Sequence, residues 1–184
     1  MVVGDINMTL VDANQLLASA KRQGFSLCTF ELPDPSLADA VLSGAEVAKS
    51  PVILQVNSSM DLEGVMPTIE ASARRSTAPT VIWCQAHSMD QVVRAINLGC
   101  NGIDCESKNA TAVAKSCGVT VVNLVENSAI ISHINNLDRI ATEQCRKTSG
   151  KADFMDHIKG VQEAVRDEVA RCLHAAGSSG RART

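Results

Sequence analysis

The sequence of 184 residues, with 45% hydrophobic residues and a formal net charge of −3, has the length of one domain with a substantial core. This small negative charge, with no basic stripe and only three Phe and one Trp for stacking, argues against a nucleic-acid-binding protein. No apolar run reaches the roughly 18 residues of a membrane span, and acidic residues stand near the N-terminus where a signal peptide has Lys or Arg, so we expect a soluble, cytoplasmic protein that binds neither nucleic acid nor membranes.

Helical and strand patterns alternate along the chain. An amphipathic helix over residues 10–24 precedes five predicted strands, and a helix follows each strand. The predicted strands occupy residues 25–32, 51–59, 79–86, 100–107 and 119–126. The helices predicted after them occupy residues 34–50, 60–76, 88–99, 110–118 and 127–147, and a further long helix occupies residues 152–177.

This alternation predicts an α/β fold with about five parallel strands, right-handed crossovers and two long C-terminal helices. We expect a single domain over residues 1–177 and a flexible tail over residues 178–184. In folds of this kind the functional groups lie at the carboxyl ends of the strands. Those ends are residues 31–34, 55–59, 84–87, 104–107 and 123–127.

The spacing of cysteines and histidines gives no local metal or disulfide motif. The seven cysteines are scattered through aliphatic segments without C-x-x-C spacing, and the four histidines form no H-x-x-x-H cluster. Cys84 could be a nucleophile with His87 as its base, but a buried structural thiol is the more common role. His87 could also be a metal ligand, although Ser88 and Asp90 after it indicate a surface position at the start of a helix.

Three segments carry a family resemblance. They are residues 16–59, with S-P-V-I-L-Q at 50–55; residues 92–107, VVRAINLGCNGIDCES; and residues 161–182, ending in G-S-S-G-R-A. Their order and spacing resemble the class II, zinc-dependent ketose-bisphosphate aldolases, a family that includes fructose- and tagatose-bisphosphate aldolases. The resemblance implies a truncated TIM-barrel-like fold, an aldehyde-lyase activity on ketose bisphosphates and a catalytic zinc ion.

The family's metal-binding motif is not matched in this sequence. In the family the third strand ends in H-x-D-H, whose Asp acts as general acid or base and whose last His binds zinc. Counting back from Gly99 aligns Cys84 with that Asp and Gln85 with that His. We therefore expect no zinc cofactor here, although the family uses zinc.

The family's phosphate-binding stretch is matched only in part. The pattern K-x-N-x-x-T falls on residues 121–126, where Asn123 matches while Val121 and Glu126 replace the Lys and the Thr. An eight-stranded barrel takes about 250 residues, so roughly three strands have no counterpart in this chain. The resemblance leaves open whether residues 119–126 match the family's fifth strand or its eighth.

Four residues are candidates for a functional site. Asp104 matches a family Asp at the end of an apolar strand, and we predict catalytic roles for Asp104 and Asn123. Gln55 and Asn57, at the end of the second strand, are predicted substrate-binding residues. Each also has a possible structural role, because a carboxylate or an amide at a strand end can satisfy the backbone of the following turn.

Acidic residues accompany these candidates at the predicted strand ends. Glu31 replaces the family's Asn on the first strand, and Asp34 and Glu126 follow the first and fifth strands. Their negative charge makes a phosphorylated sugar a poorer ligand here than in the family, and it leaves a divalent cation or an amine as an alternative.

Two functions are open from the sequence. The first is a divergent, truncated family member that lacks retro-aldol activity and binds a partner or a sugar-phosphate-like ligand. The second is an active lyase whose site groups are completed by oligomerisation. Five parallel strands cannot close a barrel, so the exposed sheet edges favour a homo-oligomer or an assembly with a related full-length protein, unless the two C-terminal helices cover them.

Overall fold

A computed structural model describes residues 10–121, 130–133, 136–148 and 154–181 of the chain. The strands in these residues are β1 Leu27–Glu31, β2 Val52–Asn57, β3 Thr80–Gln85, β4 Gly102–Asp104, β5 Thr120–Val121 and β6 Ile130–His133. The α-helices are α1 Ala13–Gln23, α2 Ala38–Ala48, α3 Leu62–Arg75, α4 Met89–Asn97, α5 Lys108–Ser116, α6 Asn136–Thr148 and α7 Phe154–Ala175. All strand pairs are parallel, in the spatial order β5-β4-β3-β2-β1-β6.

The sheet curls into a half-barrel with alternating helices, which confirms the predicted partial TIM-barrel-like α/β fold. From β1 to β5 a helix connects each strand to the next, as parallel pairing requires. Local signals fix the helix ends: Asp12 accepts a hydrogen bond from the Gln15 amide at 2.8 Å, and Gly24 ends α1 with a φ of 70°. No helix among the described residues is long and apolar enough to cross a membrane.

The strand β6 lies where the sequence predicts the first part of a helix over residues 127–147, and that part of the prediction is wrong. Ile130–His133 pairs with β1, placing His133 opposite Phe30. The cause is tertiary, because the backbone groups of β1 need hydrogen-bond partners on that side and β-branched residues favour a strand. The helix that follows begins at Asn136.

The strand pairing also decides which barrel positions are present. β5 pairs with β4 and so holds the fifth position, whereas β6 pairs with β1, as the eighth strand does in a closed barrel. The described residues therefore contain six strands of an eight-stranded plan, one more than we predicted. Residues 122–126 of the predicted fifth strand lie outside the described part of the chain.

The two faces of the sheet bury different apolar side chains. On the convex face, Phe30 and Ile82 are fully buried in the larger core, which includes residues of the surrounding helices. On the concave face, Leu27, Ile53 and Val81 pack with the apolar side of α1. Because side chains alternate between the faces of a strand, the concave face continues beyond this apolar layer into the side chains near the strand carboxyl ends.

The helices α2 and α7 pack so closely that one contact requires glycine. A Cβ built on Gly44 of α2 would lie 2.6 Å from the backbone oxygen of Arg166 and 2.8 Å from the Cβ of Val169, both in α7. Neither atom is at the end of a flexible side chain. The absence of a side chain at Gly44 is therefore what allows α7 to approach the half-barrel.

The segment after α7 is attached to the end of α2. Ser179 Oγ and Gly180 N both donate hydrogen bonds to the backbone oxygen of Ala48, at 2.8 and 2.9 Å. The Ser26 amide donates to the backbone oxygen of Ala176 at 3.3 Å. The structure describes the predicted tail, residues 178–184, as far as Arg181, and the Ser179 and Gly180 bonds join it to the end of α2.

We predict that Gly44→Ala lowers the free energy of unfolding by about 1–3 kcal/mol, because the added methyl group overpacks the contact between α2 and α7. Urea denaturation followed by circular dichroism measures this change. Gly64→Ala is the matched control, since the only close neighbour of Gly64 is its own helix's Asp61 side chain, at 2.7 Å, which can rotate away. Equal stability of the two variants would contradict the described packing of α7.

Candidate functional site

The carboxyl ends of the strands present polar side chains on the concave face. Above the apolar layer, the alternation of side chains brings Glu31 of β1, Gln55 and Asn57 of β2, Gln85 of β3 and Asp104 of β4 to this face. Three of the four predicted site residues are therefore together. Asn123, the fourth, lies outside the described residues.

A row of three polar residues crosses the centre of this face. Asn57 is paired in register with Gln85, and Gln85 with Asp104, on the adjacent strands β2, β3 and β4. Neighbouring strands lie about 4.8 Å apart, so the row spans roughly 10 Å, the length of a small sugar. All three side chains are half-buried. Two amides and a carboxylate together supply donors and acceptors for the hydroxyl groups of a ligand.

The candidate residues differ in their local bonds. Gln55 is only 2% exposed, and its Oε1 accepts a hydrogen bond from Thr29 Oγ1 at 3.3 Å, so it lies beneath the row. Asn57 Oδ1 accepts from the Ser59 amide at 2.9 Å, which orders the turn after β2. The backbone oxygen of Asp104 accepts from the Ala86 amide at 2.9 Å and joins the ends of β3 and β4. The Asn57 and Asp104 bonds order the strand ends that carry the row, and the Gln55–Thr29 pair lies beneath it.

Trp83 fills the concave face directly under the row. Its ring packs against Gly102 on β4, where a Cβ would overlap the indole, and its side chain is fully buried. The indole Nε1 and the hydroxyl of Thr120, on β5 opposite Gly102, are both buried without a hydrogen-bond partner among the described residues. Buried polar groups of this kind are normally satisfied by ordered water or a ligand.

Cys84 has the structural role that we considered more common. It is completely buried on the convex side, in the same core as Cys100, and does not face the concave site. Hydrogen bonding with Cys84 and burial raise the pKa of the Cys100 thiol. His87 is exposed in the turn before α4, where its backbone amide donates to Gln91 Oε1 at 2.8 Å. Ser88 then caps that helix.

None of the four histidines of the chain contributes to the concave face. His133 lies on the convex side, where its ring stacks on Phe30 with centroids 4.8 Å apart. His157 lies beside α6, and His174 is exposed near the end of α7. Among the described residues, no group of three His, Cys, Asp or Glu side chains is arranged to hold a metal ion.

A cleft beside β6 was not predicted from the sequence. An open cleft of about 900 Å³ lies beside β6, between α6 and α7. Its lining carries both charges, from Asp138, Arg139, Glu143, Arg146, Glu168 and Arg171, together with Ser132, His133, Asn136, Thr142 and Cys172. The sequence did not predict this cleft, because residues 127–147 were expected to form a helix. The cleft requires Ile130–His133 to be a strand.

Comparison with known proteins identifies a family and a fold. The sequence profile of the family described as class II fructose-bisphosphate aldolase matches residues 11–106, just over half of the chain. No curated protein sequence matches the chain.

Solved structures agree with the fold. The YdjI aldolase from Escherichia coli K12 superposes with a TM-score of 0.85 at 15% identity, covering 94% of this chain and 99% of that one. A protein from Coccidioides immitis, described as a fructose-1,6-biphosphate aldolase, gives 0.80 at 11% identity, with coverage of 94% and 98%. The fructose-bisphosphate aldolase from Campylobacter jejuni gives 0.64 at 10% identity, with coverage of 90% and 94%. Identities this low establish a shared architecture only.

We predict that His133 makes stability depend on pH. Burial lowers its pKa below the ordinary value of 6.5, with Arg171 lowering it further and Glu168 opposing. The unfolded chain therefore takes up the proton first, and the free energy of unfolding falls as the pH drops through about 6.5, until the folded pKa is passed.

Urea denaturation of His133→Gln between pH 8 and pH 5 tests this prediction, because the variant should lose that part of the pH dependence. His174→Gln, which changes an exposed histidine on α7, is the control and should keep it. An unchanged pH profile in His133→Gln would show that His133 is not the group responsible.

Proposed function

Because the chain belongs to the class II fructose-bisphosphate aldolase family, we propose that it is a divergent member that binds a sugar-phosphate-like ligand and lacks zinc-dependent retro-aldol activity. The observation that carries this proposal is the row Asn57, Gln85 and Asp104 on the concave face. It offers hydrogen bonds to a ligand but no imidazole to a metal.

The chemistry of aldol cleavage explains why the imidazole matters. Breaking the carbon–carbon bond leaves an enediolate, which needs an electrophile to stabilise its negative charge. In zinc enzymes the metal ion is this electrophile, acting as a Lewis acid, and it is usually held by histidine. Gln85 offers only a neutral amide where the resemblance to the family calls for a metal-binding His. The described residues of the concave face therefore do not fit a zinc centre.

A lysine Schiff base is the other common electrophile for this reaction. The described lysines lie in helices or at their ends, at positions 21, 49, 108, 115, 147 and 159. None of these six lies on a strand that faces the concave site. The distribution of lysines supports binding rather than covalent catalysis.

The charge of the site favours hydroxyl groups over phosphate near the row. Glu31 and Asp104 lie on the same concave face, and two carboxylates repel a phosphate dianion. The same carboxylates are good acceptors for sugar hydroxyls. We infer that a bound sugar phosphate would place its hydroxyl groups on the row and its phosphate away from these two residues.

An active aldehyde-lyase completed by oligomerisation is the alternative. One observation favours it: within the described residues, the outer strands β5 and β6 each pair with a strand on one side only. A second copy, or a full-length relative, could add strands and catalytic groups at these edges. This alternative requires a stable assembly, whereas ligand binding by the row does not.

The first test is whether the protein holds zinc and cleaves fructose 1,6-bisphosphate. We expect less than stoichiometric zinc by elemental analysis after purification in zinc-containing buffer, and no triose phosphate formation in a coupled assay. A zinc-loaded family aldolase is the positive control for the assay. Stoichiometric zinc with cleavage would overturn the proposal, and a multimer in light scattering at low micromolar concentration would then establish the alternative.

The second test uses Trp83 as a reporter of ligand binding. The chain has one Trp and no Tyr, so its fluorescence emission under ultraviolet excitation comes from Trp83, the residue beneath the row. We expect a saturable change in emission on titration with fructose or fructose 1,6-bisphosphate. Asp104→Ala should weaken the binding of fructose by about 10- to 100-fold, because a hydrogen bond to a charged group contributes about 1.5–3 kcal/mol.

Asp39→Ala is the control for this titration, since Asp39 is an exposed residue of α2 that pairs with Arg75. It should bind fructose as the unaltered chain does. An unchanged emission with both sugars would rule out a sugar ligand on this face. Equal losses in the two variants would show that the effect is not local to the row.

A further inference from the structure

An exposed thiol and an imidazole are in direct contact at the junction of α6 and α7. The Sγ of Cys145 lies 3.1 Å from the Nε2 of His157. Five of the seven cysteines are buried, and only Cys117 and Cys145 are exposed. Cys145 is thus accessible to reagents and also has a base within hydrogen-bond distance.

The packing of the two helices creates this contact. Cys145 lies in the last turn of α6 and His157 in the first turn of α7, so the antiparallel arrangement brings them together. Gly160, one turn after His157, lies against Gln144 of α6, since a Cβ built there would be 3.1 Å from Nε2 at the movable end of the Gln144 side chain. The geometry depends on residues of both helices and not on the concave site.

The charges around the pair are mixed. Carbonyl dipoles at the end of α6 disfavour an anion at Cys145, whereas the first turn of α7, against which the thiol lies, favours one. Arg146 and Lys147 follow Cys145 on α6, and Lys147 also pairs with Glu143 at 2.8 Å. Asp156 and Lys159 flank His157 on α7. These described neighbours carry both signs of charge, and the imidazole in contact with the thiol is the group that can activate it.

We propose that Cys145 is a nucleophilic modification site that reacts with soft carbon electrophiles, with His157 as its base. His157 Nε2, in the tautomer that carries its proton on Nδ1, accepts the thiol proton. The sulfur then forms a bond to the electrophilic carbon, and the leaving group departs with its electron pair. The imidazolium finally releases its proton to water.

The buried thiols provide the contrast within the same chain. Burial is the main cause that raises the pKa of Cys28 to about 12, with a contribution from Cys172. A thiol of this kind is protonated at neutral pH, and reagents cannot reach it. Reactivity in the native protein is therefore confined to exposed positions, where Cys117 is the internal reference for Cys145.

Labelling of the native chain with iodoacetamide tests the proposal. Samples are quenched at intervals, digested and analysed by mass spectrometry to give a separate rate for each cysteine. We expect Cys145 to react about tenfold faster than Cys117, and His157→Gln to lower the rate at Cys145 about tenfold without changing that at Cys117. His174→Gln, at the other end of α7, should change neither rate.

Two results would overturn the proposal. One is equal rates at Cys145 and Cys117 in the unaltered chain. The other is an undiminished rate at Cys145 in His157→Gln, provided that the circular dichroism spectrum and the Cys117 rate show an intact fold. If His157→Gln does not fold, His157→Asn and the deuterium solvent isotope effect on the Cys145 rate in the unaltered chain replace it, and an isotope effect no larger than that of Cys117 would reject the base.

Discussion

The parallel pairing of β6 with β1 is the constraint on which the rest of the structure depends. Without it β1 would be an edge strand whose backbone groups lack partners on one side. With it, Thr29 and Glu31 are held on the concave face between β2 and β6. The same pairing carries the chain to the convex side, where α6 and α7 begin their antiparallel packing. The cleft lined by Ser132 and His133 of β6 follows from this arrangement.

The arrangement of polar groups on the concave face is determined by strand register more than by the identity of any one residue. Asn57, Gln85 and Asp104 come from three different strands, and the in-register pairing of those strands makes them neighbours. The four histidines of the chain lie elsewhere in the structure. The chain thus combines the family's strand architecture with a row of two amides and one carboxylate on the concave face.

The sequence predicts much of this arrangement, and its failures have physical causes. Alternation of apolar strands with amphipathic helices gives the first five strands, because buried parallel strands read as continuous apolar runs. It fails at Ile130–His133, whose apolar residues fit a helix as well as a strand, so that only the pairing with β1 distinguishes them. The cleft beside β6 was therefore not predicted from the sequence.

The site was predicted in part for the same reasons. Asp104, Gln55 and Asn57 end strands, and strand ends of a parallel sheet meet at one edge, so their proximity follows from the topology. That Gln55 lies beneath the row, bonded to Thr29, depends on side-chain contacts between strands. The contact of Cys145 with His157 depends on how α6 packs against α7, which no local pattern encodes.

The bonds that Ser179 and Gly180 make to Ala48 have a consequence for how the chain matures. The Ser179 bond joins positions 131 residues apart, and α7 packs on α2 through contacts of similar range. During synthesis the first four strands emerge well before α7 exists. Until then the apolar outer surface of α2 remains exposed to water. Chains with such long-range contacts fold slowly and are vulnerable to association until the closing segment arrives.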